Sequence, residues 1–237
     1  MNYQILDWDS DFFGVKVARI TDPGLTAQKL TDLLSELKRK CIKLVYWPSE
    51  RERDNDEAKG LCGHLVDIKT TFVIDFRSFD LDSFISTDIV EPYSLSMPIA
   101  DIEDLAIQSG EYSRFAIDPH LPREQFVSLY KTWINRSLSK EIASEVLVIR
   151  DAGRVVGMVT LGEKDGRGDI GLIAVDASCR GKKYGEKLVR AAQRWFVKNG
   201  YVFGQVVTQA MNSPACNLFK KCGYSTEKAE YFYHFWL

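Results

Sequence analysis

The sequence has little of what marks a metal centre, a disulfide scaffold or a membrane anchor. Its three histidines lie far apart, and its five cysteines form no CxxC pair. We therefore expect no zinc site, and we expect free thiols in a reducing cytoplasm. No run approaches the ~20 apolar residues that span a bilayer, and the first residues lack the basic and apolar regions of a signal peptide. These observations predict a cytoplasmic protein without a membrane partner.

A surplus of charge of one sign is also lacking. The 31 basic and 33 acidic residues give a formal net charge of -2, which argues against a broad basic face for nucleic acid. A local basic pocket for one small anionic ligand remains compatible with this balance. The 237 residues, of which 45% are hydrophobic, are sufficient for one or two folded domains.

Hydrophobic periodicity divides the chain into two predicted units, residues 1–90 and residues 95–237. The first is an α/β unit with strands at 15–20, 43–47 and 65–76 and helices at 26–40 and 52–60. A weakly periodic stretch with several Asp and Pro residues, 78–98, is the predicted connection.

The second unit begins with helices at 99–109 and 123–139 on either side of a loop at 112–119. A hairpin turns at Asp151-Ala152-Gly153, and strands and helices then alternate to a closing strand at 231–236. The Trp236-Leu237 terminus is expected to pack at the sheet edge. The whole order predicts an α/β fold with a mixed sheet.

A short loop between the strand at 169–175 and the helix at 183–198 combines glycines with positive charge. Arg180, Lys182 and Lys183 supply the charge, and Gly181 and Gly185 let the backbone approach a ligand closely. A helix start adds unpaired N–H groups and the positive end of the dipole. The loop therefore predicts a pyrophosphate site, and a basic surface loop without a ligand is the alternative.

A second informative segment follows the strand at 202–208. Ser213 is the predicted N-cap of a helix with Pro214 at its first position, and Gly223 ends that helix. Asn212 and Asn217 offer amide groups near the end of the strand.

Over residues 95–237 these two segments resemble the GCN5-related N-acetyltransferase (GNAT) superfamily. The first resembles its coenzyme A loop, R/Q-x-x-G-x-G/A, starting at Arg180. The second resembles its N-x-x-A-x-x-L-Y-x-x-x-G-F element, here with Asn212, Leu218, Phe219, Gly223 and Tyr224. The resemblance implies a GNAT fold, acetyl-CoA as co-substrate, no metal, and direct attack of a neutral amine on the thioester.

The resemblance also implies roles for individual residues. Backbone amides of the strand would face the thioester oxygen, the loop would hold the pyrophosphate, and Asn212 would hold the pantetheine arm. The implied cofactor-binding set is Ile173, Ala174, Val175, Arg180, Gly181, Lys182, Lys183, Tyr184, Gly185, Asn212, Asn217 and Phe219.

Two positions depart from the pattern. Lys183 stands where the first glycine of the loop motif is usual, and Phe219 stands where relatives carry a tyrosine proposed to protonate the leaving thiolate. The catalytic acid is therefore unknown, and Tyr184, Tyr224, Ser213 or water could replace it. The base is also open, with Glu163, Asp169 and His120 as candidates.

A further resemblance, to bacterial dTDP-fucosamine acetyltransferases, extends over nearly the whole chain. It rests on four short segments: Phe12-Phe13-Gly14, Ser113-Arg114-Phe115, residues 130–134 and residues 170–174. It implies the 4-amino group of a dTDP-linked dideoxy sugar as acceptor, a place in cell-surface polysaccharide biosynthesis, and Arg114 and Phe115 as substrate residues. Arg114 and Arg123 could pair with a nucleotide diphosphate, and the two adjacent phenylalanines are expected in the core.

Two other functions remain open at this point. Superfamily membership alone also allows a protein N-terminus, a lysine, an amino acid or another small amine as acceptor. Phe219 also permits a non-catalytic module that binds coenzyme A. A homodimer is compatible with each of these functions.

Overall fold

The computed structural model describes residues 2–51, 54–77 and 87–237, and it forms one mixed sheet with helices on both faces. The elements of the N-terminal part are β1 (Tyr3–Ile5), α1 (Asp7–Phe13), β2 (Val17–Ile20), α2 (Ala27–Arg39), β3 (Leu44–Ser49), α3 (Asp54–Gly60) and β4 (Gly63–Asp75). The short β1 and α1 were not predicted from the sequence. Residues 52–53, within a predicted helix, lie outside the described residues.

The C-terminal part follows the predicted order of helices, hairpin and alternating elements. Its elements are β5 (Val90–Pro92), α4 (Ile99–Ser109), α5 (Arg114–Ile117), α6 (Arg123–Leu138), β6 (Glu145–Asp151), β7 (Arg154–Lys164), β8 (Arg167–Val175), α7 (Tyr184–Lys198), β9 (Phe203–Gln209), α8 (Ser213–Lys221) and β10 (Ser225–Trp236). The loop predicted at 112–119 contains the helical turn α5. The predicted connection contains β5, and its residues 78–86 lie outside the described residues.

The ten strands are ordered β1-β2-β3-β10-β4-β9-β8-β7-β6-β5. The last strand of the chain therefore pairs on both sides, with β3 and with β4. The expectation that the Trp236-Leu237 terminus packs at the sheet edge is wrong, because β10 lies between β3 and β4 and Trp236 pairs with Leu44 of β3. One sheet thus runs through both predicted units, and the division at residues 90–95 stays a prediction.

Side-chain alternation along the strands gives the sheet two different faces. One face packs against α2, α7 and α8 through apolar side chains such as Trp47, Leu188 and Phe219. The other packs against α1, α4, α5 and α6 through residues such as Phe13, Tyr46 and Phe115. Phe13 is a core residue, as expected, and its ring lies 5.9 Å from that of Phe115. In the described part of the chain, no helix has the length and apolar character needed to cross a membrane.

Candidate active site

The central feature of the site is a gap between two parallel strands. β8 and β9 pair only through Gly168–Ile170 and Gly204–Val206. Beyond Ile170, β8 still pairs with β7 on one side, but no described strand pairs with it on the other side. Alternate backbone N–H groups of residues 171–175 therefore face an opening instead of a partner strand.

A bulge in β8 shapes this opening. Thr160 of β7 faces two residues of β8, Gly171 and Leu172, and its Oγ1 accepts a hydrogen bond of 2.8 Å from the Leu172 N–H. A Cβ atom at position 171 would lie 2.8 Å from the same oxygen, so a larger residue would displace the Thr160 hydroxyl. The bulge was not predicted from the sequence, although a glycine inside an apolar strand is a known signal of one.

The opening continues into a cleft of about 480 Å³, a size suited to a small-molecule ligand. Ten of the twelve predicted cofactor-binding residues line it, and Lys182 and Asn217 do not. Further lining residues come from the end of α4 and the loop after it, including Gln108, Ser109 and Tyr112.

The N-terminus of α7 forms one end of the cleft. Its first turn begins with the bond from Lys187 N–H to Lys183 O, so the N–H groups of residues 184–186 have no acceptor within the helix. Gly181 has φ 84° and Lys183 has φ 62°. The lysine at the motif-glycine position is therefore in the left-handed region, which costs a non-glycine residue about 1–2 kcal/mol.

The loop before α7 is fixed by hydrogen bonds from two sides. Asp176 accepts a hydrogen bond of 2.9 Å from the Ser178 N–H, and the Gln108 side chain accepts one of 3.1 Å from the Ala177 N–H. Lys182 lies 2.8 Å from the Asp151 carboxylate of the β6–β7 turn. Asp151 thus partly neutralises the charge of Lys182. The positively charged residues that line the cleft at this end are Arg180 and Lys183.

Asn212 has a different local role from the one predicted. Its Oδ1 accepts a hydrogen bond of 3.2 Å from the Ala215 N–H and caps α8. Ser213 is the first helical residue and not the N-cap, because the amide oxygen of Asn212 already satisfies the helix start. The Asn212 amide nitrogen is still available on the wall of the cleft, and Asn217 is exposed elsewhere on α8.

Phe219 is buried on the cleft floor, with its ring 5.9 Å from Phe72 and 6.0 Å from Tyr224. Of the proposed substitutes for the missing tyrosine, Tyr184 lines the cleft, but its hydroxyl lies 3.3 Å from Asp151. Tyr224 is buried in the core and Ser213 is exposed at the start of α8. Tyr112, to which no role was assigned from the sequence, is exposed and also lines the cleft.

The three base candidates lie apart from the cleft lining. Glu163 is 3.4 Å from the Tyr201 hydroxyl, Asp169 accepts a hydrogen bond of 2.9 Å from Gln205, and His120 is 3.3 Å from Asp118. Burial raises the pKa of the Asp169 carboxyl, and Gln205 opposes this effect.

Asp67 is a further candidate proton acceptor, although it too lies outside the cleft lining. It lies on β4, beside the strand β9 that borders the cleft, and one of its carboxylate oxygens is buried with no hydrogen-bond partner among the described residues. Burial raises its pKa to about 7, against the attraction of Arg114 and Lys69. A charged residue within the apolar segment Leu65-Val66-Asp67-Ile68 was the available signal in the sequence.

Arg114 lies over the face of the sheet that carries Asp67. Its guanidinium carbon is 4.7 Å from the Tyr46 ring centroid and 5.1 Å from that of Phe232. Phe115, the other predicted substrate residue, is buried in the core. Arg123 points elsewhere and forms a two-fold ion pair with Glu111.

A buried polar cluster fixes the loop that carries Arg114. Asp118, directly after α5, accepts hydrogen bonds from His234 Nδ1 at 2.6 Å, Trp236 Nε1 at 2.9 Å and the His120 N–H at 2.9 Å. Burial lowers the pKa of His234 to about 4, although Asp118 opposes this effect. The three histidines, distant in sequence, are neighbours here, with the His64 and His120 rings 5.2 Å apart. The described residues contain no group of side chains that could hold a metal ion.

The sequence profile of the acetyltransferase (GNAT) family matches residues 106–224, which is half of the chain. The chain belongs to the GNAT family. Acetyl-CoA is the co-substrate that this family uses. The gap between β8 and β9 fits the thioester of this co-substrate. The loop before α7, with its two residues of positive φ, and the free N–H groups of the helix start fit its pyrophosphate.

One curated protein is similar to part of this chain. The spore coat polysaccharide biosynthesis protein SpsD of Bacillus subtilis (strain 168) is 26% identical over 133 residues, which are 56% of this chain and 46% of SpsD. This GNAT protein thus spans about half the length of that relative.

Two solved structures share the fold. A conserved protein of unknown function from Staphylococcus epidermidis ATCC 12228 has a TM-score of 0.65 and 14% identity, over 93% of this chain and 83% of that one. A GCN5-related N-acetyltransferase from Sphaerobacter thermophilus has a TM-score of 0.62 and 13% identity, over 99% of this chain and 76% of that one.

Proposed function

We propose that this GNAT enzyme transfers the acetyl group of acetyl-CoA to the amino group of a nucleotide-linked amino-deoxy sugar. The observation that carries the proposal is the parting of β8 and β9 beside the N-terminus of α7. This gap can admit an extended pantetheine arm from the α7 side. The polar face around Asp67 and Arg114 can admit an amine from the other side.

In this proposal the cleft residues position the donor. The N–H groups at the start of α7, with Arg180 and Lys183, hold the pyrophosphate. Backbone amides of Ile173–Val175 stabilise the negative charge that develops on the thioester oxygen. The amide nitrogen of Asn212 contacts the pantetheine arm.

Proton transfer in this proposal uses Asp67 as the acceptor. The amine nitrogen bonds to the acetyl carbon, the carbon–sulfur bond breaks, and the proton from the nitrogen goes to the Asp67 carboxylate, directly or through a water. The sulfur leaves as thiolate and takes a proton from solvent. A free thiol titrates near ~8.5, so this leaving group is tolerable without a phenol at position 219.

The sugar acceptor is supported by two observations. The short segments around Phe12, Arg114, residues 130–134 and residues 170–174 resemble dTDP-fucosamine acetyltransferases. The relative SpsD is named for spore coat polysaccharide biosynthesis. We infer that the acetylated product enters the synthesis of a cell-surface polysaccharide.

The test is a direct assay of acetyl transfer. Purified protein is incubated with acetyl-CoA and a dTDP-linked 4-amino-4,6-dideoxy sugar, and thiol release and product mass are followed. We expect one acetyl group on the sugar and one thiol per turnover. A panel of lysine peptides, amino acids and small amines runs in parallel. Faster transfer to any of these than to the sugar contradicts the proposed acceptor.

A further inference from the structure

Three positive side chains meet around one aromatic ring on the α5 side of the sheet. The Arg19 guanidinium carbon lies 5.8 Å, the Lys69 Nζ 5.5 Å and the Arg114 guanidinium carbon 5.1 Å from the ring centroid of Phe232. We call these four residues the Phe232 cluster. They come from β2, β4, α5 and β10, so only the strand order of the sheet brings them together.

The charges of the Phe232 cluster are incompletely balanced by the protein. Neither Arg19 nor Arg114 forms an ion pair with a carboxylate in the described ranges 2–51, 54–77 and 87–237. The Arg114 Nε is buried and lacks a hydrogen-bond acceptor among these residues. Glu230 lies 3.2 Å from Lys69, but it also lies 3.3 Å from Lys228 and is therefore shared.

The other nearby acids contribute less negative charge than their number indicates. Burial raises the pKa of Asp9, and it raises the pKa of Asp67 to about 7. Burial also lowers the pKa of the Lys69 ammonium; Glu230 opposes this effect, while the charges of Lys164 and Arg19 add to it. Like charges held this close together are unfavourable unless an anion joins them.

The position of the cluster suits one end of an extended acceptor. β10, β4 and β9 are adjacent, and neighbouring strands lie about 4.8 Å apart, so Phe232 is about 10 Å from the strand that borders the cleft. A sugar ring fits between an anion at the cluster and an amine at the cleft. Two guanidinium groups and an ammonium favour the several oxygens of a diphosphate over a single carboxylate.

We propose that the Phe232 cluster binds the diphosphate of the acceptor, with Arg19 and Lys69 as its previously unassigned ligands beside Arg114. This inference rests on the proposed function, since it assigns the anionic end of the same substrate. The three cations that surround the buried Phe232 ring hold the diphosphate on their solvent side, and the sugar points its amine across β4 towards the cleft.

The test measures binding without turnover. Calorimetric titrations with dTDP, inorganic pyrophosphate and thymidine are carried out on the wild type, Arg19→Gln, Lys69→Gln and Arg39→Gln. Arg39 is exposed at the end of α2 and serves as the matched control. We expect dTDP to bind the wild type and the control equally, and about tenfold more weakly to each cluster variant, as for the loss of one charged hydrogen bond. We also expect pyrophosphate to follow this pattern and thymidine to bind more weakly than dTDP.

Equal dTDP affinity in Arg19→Gln, Lys69→Gln and Arg39→Gln overturns the proposal, and so does thymidine binding as tight as that of dTDP.

An activity assay separates this inference from the proposed function. The KM for the dTDP-linked amino sugar should rise about tenfold in Arg19→Gln and Lys69→Gln, with the KM for acetyl-CoA unchanged. If dTDP binding depends on the cluster but no amino sugar is acetylated, the anion site stands and the proposed function fails. If the sugar is acetylated with the same KM in every variant, the proposed function stands and the anion site is refuted.

Discussion

The cleft and the polar face around Asp67 and Arg114, which we call the acceptor face because we propose that the amine binds there, occupy one sheet but are assembled in opposite ways. The cleft takes most of its lining from two continuous segments, residues 173–186 and 212–221. The acceptor face takes Arg19, Asp67, Arg114 and Phe232 from four elements spread over the whole chain. Local hydrogen bonds therefore shape the cleft, whereas the acceptor face depends on the insertion of β10 between β3 and β4. Damage to long-range contacts should affect the acceptor face first.

Replacing Asp118, whose hydrogen bonds hold the loop of Arg114 in place, should have the greatest effect on the molecule. Asp118→Ala leaves three buried or half-buried donors without an acceptor, from His234, Trp236 and the His120 backbone. We expect a loss of about 3–5 kcal/mol in the free energy of unfolding, as for other broken buried pairs. Urea unfolding followed by circular dichroism measures this loss. If Asp118→Ala does not fold, Asp118→Asn and Trp236→Phe provide milder steps.

The control for Asp118→Ala is His120→Ala, which removes an exposed ring and should cost less than about 1 kcal/mol of the free energy of unfolding.

The buried His234 that pairs with Asp118 also predicts a pH dependence of stability. The pKa of His234 is lowered from 6.5 to about 4 by burial, so the unfolded chain binds its proton at a higher pH than the folded protein. Stability should therefore fall as the pH drops from about 6.5 to 4. A flat profile in this window contradicts the neutral buried histidine.

Asp67→Asn tests the acceptor face with the next largest effect. Removing a general base typically lowers turnover by about 100-fold, and the acetyl-CoA affinity should not change because Asp67 is not part of the cleft lining. In the wild type, kcat should rise with pH through about 7 as the Asp67 carboxyl ionises. This rise should be absent in the variant.

The matched control for that variant is Asp75→Asn, which changes an exposed carboxylate at the end of the same strand. Equal turnover in the two variants, or an unchanged pH profile in Asp67→Asn, excludes Asp67 as the base. The proton would then have to leave the amine through solvent alone.

Much of the cleft could be predicted because its signals are contiguous. The basic loop, Gly181 and the start of α7 lie within a few residues of one another, and a helix start favours a bound anion through its free N–H groups. The cap of α8 was assigned one residue too late, because Asn212 and Ser213 are both good N-caps and only the fold decides between them. Nothing local reveals that Lys182 pairs with Asp151, 31 positions earlier.

Apart from Arg114, the residues of the acceptor face could not be predicted, because they become neighbours only through strand order. β10 resembled an edge strand since it is the last element, yet its pairing with two strands places Phe232 opposite Asp67 and His234 opposite His64. A single sequence gives no register between strands 150 residues apart. The three histidines show the same limit, since their spacing indicates isolation and the sheet brings them together.

Lys183→Gly tests both the backbone conformation and the charge of the loop at the cleft. Replacing a left-handed lysine (φ 62°) by glycine should stabilise the fold by about 1 kcal/mol. It should also weaken acetyl-CoA binding by about threefold through the lost charge, because the backbone N–H groups remain. Lys140→Gly is the matched control, since Lys140 also has a positive φ (64°) but lies outside the cleft. A loss of affinity in both variants would refute a local role for Lys183.

Phe219→Tyr should have the smallest effect. The variant places a phenol at the cleft floor, where relatives carry their proposed acid, and it adds a polar atom to a buried site beside Phe72. Because the thiolate is already a tolerable leaving group, we expect kcat within about threefold of the wild type. Single-turnover thiol release at several pH values measures this. A rise of 100-fold or more would show that the enzyme lacks an acid that it needs. Such a rise would also mean that Tyr112 and Tyr184, which line the cleft, do not supply the proton.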